Sequence, residues 1–209
     1  MLILFHVLFG ISLVYIAAAE KFKHYIRAYA LQGVLLFGMA VIELKHFTFL
    51  NLLFIMAETI IFKSIIVPFL LRRIMQRAGI SRVYKKSLQG NYTVILLIFI
   101  LGISLVLAKV LAVPAVNEVY MVIAYFTLFT GLLLISVRKL LFGQMVGFLI
   151  IENAVFLFSI ALGNEFPMLV NTGILLDVFI AVLILSMFLV RVGQKMGGFE
   201  AENLTKLKD

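Results

Sequence analysis

Residues 48–71 read TFLNLLFIMAETIIFKSIIVPFLL. The run is apolar and long enough to cross a bilayer, which takes about 20 residues. Yet Glu58 and Lys63 stand near its middle. An ionisable side chain at a bilayer centre costs about 2.5–3.5 kcal/mol on insertion scales. Two further spans repeat the pattern, one with Glu152 and one with Asp177. Charges this costly are kept where they act, so these four residues point towards proton or ion movement.

Outward from that stretch, the chain reads as seven transmembrane helices, at 2–19, 26–44, 48–71, 92–112, 117–137, 140–162 and 168–190. The expected fold is an all-α integral membrane protein. Composition agrees: 64% of the 209 residues are hydrophobic and mean hydropathy is +1.18, whereas soluble domains are nearer half apolar. No separate catalytic domain is expected within these residues. The chain has no Cys, so it offers no thiolate zinc site, iron–sulfur cluster or disulfide. His6, His24 and His46 are too scattered to form a haem or zinc site. The first span ends in Ala17-Ala18-Ala19, as a signal peptide does, but no Lys or Arg precedes it, so it reads as a retained helix.

The net charge of +8 lies between the spans, where the positive-inside rule and anionic lipid account for it better than nucleic acid does. Lys21, Lys23, Arg27, Arg72, Arg73, Arg77, Arg82, Lys85, Lys86, Arg138, Lys139, Arg191, Lys195, Lys206 and Lys208 fall on one side; Lys45 and Lys109 fall on the other. This distribution predicts an outside N-terminus and a cytoplasmic C-terminus. Residues 72–90 are expected to form either a basic amphipathic surface helix or a solvated loop. The polar tail, 193–209, is expected to be mobile or docked on a neighbour.

Spans one to three resemble spans five to seven. Gln32 and Glu152 hold equivalent central positions, and Glu58 and Asp177 follow them at nearly equal spacing. The expected organisation is therefore two parallel three-helix repeats, 1–72 and 113–192, joined by a basic loop and linking helix, 73–112, and followed by the tail.

Low-dielectric burial disfavours the charged form of an acid and of an amine alike. Proton exchange among Glu58, Glu152 and Asp177, gated by Lys63, is the chemistry this set offers, with Gln32 alongside. A stand-alone small secondary transporter and a purely structural polar contact between helices are the alternatives. On an ideal α-helix Glu58 and Lys63 lie about 140° apart. Each is thus expected to face a different neighbour, Lys63 meeting Glu152, Asp177 or another chain. Pro68 is expected to leave the Ser64 carbonyl unpaired and to bend the helix. His6 is expected in core packing, and Glu43, Lys45 and Glu165 at span ends. The 20 Phe residues are expected to face lipid. Gly33, Gly38, Gly102, Gly131, Gly143 and Gly147 are expected at close helix contacts.

Three stretches carry a resemblance: Phe129-Thr130-Gly131-Leu132, Arg138-Lys139-Leu140-Leu141-Phe142, and Gly147-Phe148-Leu149-Ile150-Ile151-Glu152-Asn153-Ala154. With the Asp177 helix, they resemble the small K-type subunit of respiratory complex I and its counterpart in multisubunit cation/proton antiporters. That family carries its middle-helix Glu where Leu149 stands here; Glu152 is one turn later on nearly the same face. Asp177 falls where the family has a third-helix Glu. The whole chain except its tail, including Ala57-Glu58-Thr59-Ile60-Ile61-Phe62-Lys63-Ser64-Ile65-Ile66-Val67-Pro68, resembles the hydrogenase-4 component E family of membrane subunits.

The resemblance implies a subunit without catalysis or cofactor of its own, in the cytoplasmic membrane of a prokaryote. It would sit between antiporter-like subunits and the membrane anchor of a peripheral redox arm. Iron–sulfur clusters and a nickel–iron centre would belong to partner chains. The implied role is in the mid-membrane polar axis that couples redox chemistry to proton or sodium transport.

Overall fold

A computed structural model describes residues 2–19, 21–43, 49–77, 90–111, 116–138 and 141–162. The regular elements among them are all helical: α1 (Leu2–Ala18), α2 (Phe22–Glu43), α3 (Phe49–Met56), a π-helical segment (Ala57–Ile66), α4 (Val67–Arg77), α5 (Gly90–Val110), α6 (Glu118–Val137) and α7 (Leu141–Ala161). α3, the π segment and α4 follow without a break.

Five helices here are long and apolar enough to span a membrane: Phe22–Glu43, Leu52–Arg73, Tyr92–Val110, Glu118–Val137 and Phe142–Ala161. α1, at 17 residues, reaches the lower limit for a span. The chain is a multi-pass α-helical membrane protein by this measure. The seventh expected span and the tail, with Glu165, Asp177, Arg191, Lys195, Lys206 and Lys208, lie outside the described residues, as do Lys45, His46, Arg82, Lys85, Lys86 and Lys139. The comparison between repeats needs that seventh span. Of the basic stretch after the third span, α4 extends the helix to Arg77 with Arg72 and Arg73 exposed.

Burial grades the helices. The apolar windows of α7 and α2 are 67% and 56% buried, while that of α5 is 28% buried, so α2 and α7 are central and α5 is peripheral. α1 packs on α2, α5 and α6; α2 also meets the π segment, α4 and α7; α6 lies along α7. Helix-to-helix approach uses small residues, as expected where apolar burial cannot distinguish protein from lipid. A Cβ on Gly131 would lie 2.8 Å from the Gly147 carbonyl, and one on Gly147 would lie 2.8 Å from the Gly131 carbonyl. Gly38 receives the Phe5 ring, and Gly143 the stem of Arg138. Gly102 departs from expectation: open space surrounds it, because it belongs to the sparsely packed α5.

The phenylalanines divide between core and surface. Phe9, Phe22, Phe126, Phe142 and Phe156 are buried, and Phe22 meets Phe142 edge to face at 4.4 Å, whereas Phe49, Phe69, Phe99 and Phe148 are exposed. Reading them all as lipid-facing overlooked that a bundle interior needs large rings as much as its surface does.

Several polar groups in the spans find partners within the bundle, as lipid favours. Thr127 and Thr130 donate to Ile123 and Phe126 carbonyls one turn back. Tyr120 donates to the Met39 carbonyl, fastening α6 to α2. His6 is buried against the edge of Tyr120, ring centroids 4.4 Å apart, with Nδ1 2.8 Å from the Leu2 carbonyl, which places it in core packing as expected. Asn117 caps α6 by accepting from Val119 N–H, and its Nδ2 donates to Glu43 at the end of α2. Arg138, past the end of α6, donates from Nη2 to the Ala17 carbonyl at 2.6 Å. That interaction places a cation at the electronegative end of α1.

Candidate functional site: a buried carboxylate–lysine–carboxylate cluster

Three of the spans each place a polar residue at mid-length. Lys63 stands eleven residues after Leu52 and ten before Arg73 in its span. Glu152 stands ten after Phe142 and nine before Ala161; Gln32 stands ten after Phe22 and eleven before Glu43. At a rise of about 1.5 Å per residue, each is roughly 15 Å from either end of its span. That is the depth of the centre of a hydrocarbon layer about 30 Å thick.

Two of these residues meet. The Lys63 ammonium lies 3.0 Å from Glu152 Oε1, across the boundary between the π segment and α7, and 3.7 Å from Glu58 Oε1 within its own segment. Lys63 is 1% exposed, and Glu58 and Glu152 are each 5% exposed. The Phe156 ring of α7 covers the ammonium, 4.7 Å from Nζ to the ring centroid. Tyr29 of α2 approaches from a third side, its hydroxyl directed at Glu152 Oε2 over a long 3.4 Å.

Beside this cluster runs a neutral line. Asn153 Nδ2 donates to Gln32 Oε1 at 3.1 Å, and Gln32 Nε2 donates to Ser12 Oγ at 2.9 Å; Ser12 in turn donates to the Phe9 carbonyl. Gln32 is thus placed next to the charged cluster through the neighbouring residues Glu152 and Asn153, and its own hydrogen bonds lead towards α1. Asp177 lies outside the described residues.

The pairing of Glu58 with Lys63 corrects the α-helical expectation. Residues 57–66 are wound as a π-helix, whose hydrogen bonds close i→i+5. Five residues then overshoot one full turn by only about 50°, against about 140° in an α-helix. Glu58 and Lys63 therefore share a face. Lys63 also reaches Glu152, as the inter-helix expectation held. Pro68 lies in the first turn of α4, where the winding returns to α. The helix runs on past it without a break to Arg77.

Three residues were absent from the expected set. Tyr29, Ser12 and Asn153 complete the polar contacts. Asn153 stands beside Glu152 in the sequence, but Tyr29 and Ser12 carry no signal in a single sequence, being ordinary helix residues until their neighbours are known.

The class of protein these features define is a multi-pass membrane protein with an ionisable cluster at mid-span. The chain matches no protein-family model, and no curated protein and no solved structure was found to match it.

Proposed function

We propose that this chain is a non-catalytic membrane subunit of a complex-I-like energy-converting assembly, of hydrogenase or formate hydrogenlyase type, and that Glu58, Lys63 and Glu152 form part of its proton or sodium path. The observation that carries this reading is the Lys63 ammonium held 3.0 Å and 3.7 Å from two carboxylates at mid-span. Fully ionised, the three groups hold one negative charge in excess; one added proton makes the cluster neutral. It can thus take up and release a single proton while its net charge stays between zero and one negative unit, which suits a relay station. Gln32, and Asp177 in the seventh expected span, extend the path in this reading. The K-type resemblance of the second half supports the same role in a multisubunit cation/proton antiporter, which shares that type of subunit.

The proposed orientation has the N-terminus outside and the C-terminus cytoplasmic, in a prokaryotic cytoplasmic membrane. The proposed partners are antiporter-like subunits, a membrane anchor subunit and a peripheral redox arm that holds the iron–sulfur and nickel–iron centres. The test is replacement of Glu152 and Glu58 by Gln in the native assembly. Redox-driven ion movement is expected to be lost while the assembly still forms. Unchanged ion movement in both variants would leave the cluster as a structural tie between helices. Co-purification identifies the host: large multi-span chains with an iron–sulfur arm support the complex-I-like assignment, and isolation of an active chain alone refutes it.

A further inference from the structure

We infer that Gly33 and Ser64 are positioning residues: they hold residues 57–66 in the π winding, and that winding brings Lys63 between Glu58 and Glu152. A π-helix of ten residues needs an external reason, since such helices are rare and mostly single-turn. α2 supplies it. Ser64 Oγ lies 3.0 Å from the Thr59 carbonyl and 3.0 Å from the Ala30 carbonyl of α2. Its one hydroxyl proton is shared between them. In the π winding the Thr59 carbonyl is also the acceptor for Ser64 N–H, so backbone and side chain of Ser64 hold the same i→i+5 link. The hydroxyl then ties that link to the neighbouring helix.

Gly33 makes the approach possible. A Cβ there would collide with Ser64 Oγ, stand 2.7 Å from the Thr59 carbonyl and 3.1 Å from Lys63 Cβ. Two of these three neighbours are the ends of the i→i+5 link, and the third is the stem of the central lysine. Rewinding to α would turn Lys63 by roughly 90° relative to Glu58 and withdraw the ammonium from that carboxylate. Gly33 and Ser64 thus act through Lys63, and touch neither carboxylate.

The consequence for ion movement rests on the relay reading above; the geometry does not. The test uses the full-length chain in lipid bilayers. Solid-state NMR cross-peaks between ¹⁵N of Lys63 Nζ and ¹³C of the Glu58 and Glu152 carboxylates report the geometry, and ion movement is measured in the native assembly. Gly33→Ala and Ser64→Ala are expected to abolish the cross-peak to Glu58. Ser64→Thr, which keeps the hydroxyl, is expected to retain it. Circular dichroism checks that each variant is folded, and Ser64→Ala, which only removes an oxygen, keeps the test open should Gly33→Ala not fold. Both cross-peaks at wild-type intensity in folded Ser64→Ala would overturn the inference. A missing Glu58 cross-peak with ion movement unchanged would uphold the positioning and refute the relay.

Discussion

Lys63→Met removes the single cation from the cluster and keeps the length and apolar stem of the side chain. At an effective dielectric of about 20, attractions across 3.0 Å and 3.7 Å are worth roughly 5.5 and 4.5 kcal/mol gross. Most of that is offset by taking the ammonium out of water. Removing one partner of a buried pair nevertheless costs about 3–5 kcal/mol, because the remaining charge is left uncompensated. Here two carboxylates would be left, each 5% exposed, so the upper end of that range is expected. The assay is reversible denaturation of the purified chain in mixed micelles. The triple variant Lys63→Met/Glu58→Gln/Glu152→Gln isolates the cause, since it removes the stranded charge with little change of volume, and it is expected to recover most of the loss. If Lys63→Met costs under about 1 kcal/mol, or the triple variant is no more stable than the single one, the cluster is not a desolvated charge assembly and the reasoning fails.

Other expected outcomes follow from the packing. Gly131→Leu would push a side chain into the Gly147 carbonyl and lower stability by about 1–3 kcal/mol or more through overpacking, read as a fall in Tm; Gly102→Ala, facing open space, is expected to be neutral or to stabilise by about 0.5–1 kcal/mol. Asn117→Ala removes both the α6 cap and the bond to Glu43 and is expected to cost about 1 kcal/mol in the same denaturation assay. Arg138→Met strands the Ala17 carbonyl; a loss of about 1.5–3 kcal/mol is expected, as for hydrogen bonds to charged groups, and a loss below about 0.5 kcal/mol would show that this carbonyl finds another donor.

Much of the architecture was legible in the chain alone. Span length follows from bilayer thickness and hydropathy, so five of the expected spans recur as long apolar helices and α1 as a shorter one. The central placement of Lys63 and Glu152 was equally visible, because depth in a membrane is nearly a count of residues along a helix. So was the need of each for a partner, since lipid offers none. The small residues Gly33, Gly131 and Gly147 also announced close helix approach.

What pairs with what was decided by tertiary structure. Lys63 meets Glu152 because α2 packs on both the π segment and α7 and brings their side chains within reach, and rotation of a helix about its axis leaves no mark in its composition. Glu58 shares a face with Lys63 because residues 57–66 are wound as a π-helix. The energy difference between α and π winding is small enough for a neighbour to set it, and here Gly33 and the Ala30 carbonyl of α2 are that neighbour. Burial of Phe22 and Phe142, exposure of Phe99, and the open space beside Gly102 have the same origin. In a membrane every face of a span is apolar, so hydrophobic periodicity, which marks the core side of a soluble helix, is nearly silent, and only packing separates the inside of the bundle from the lipid side.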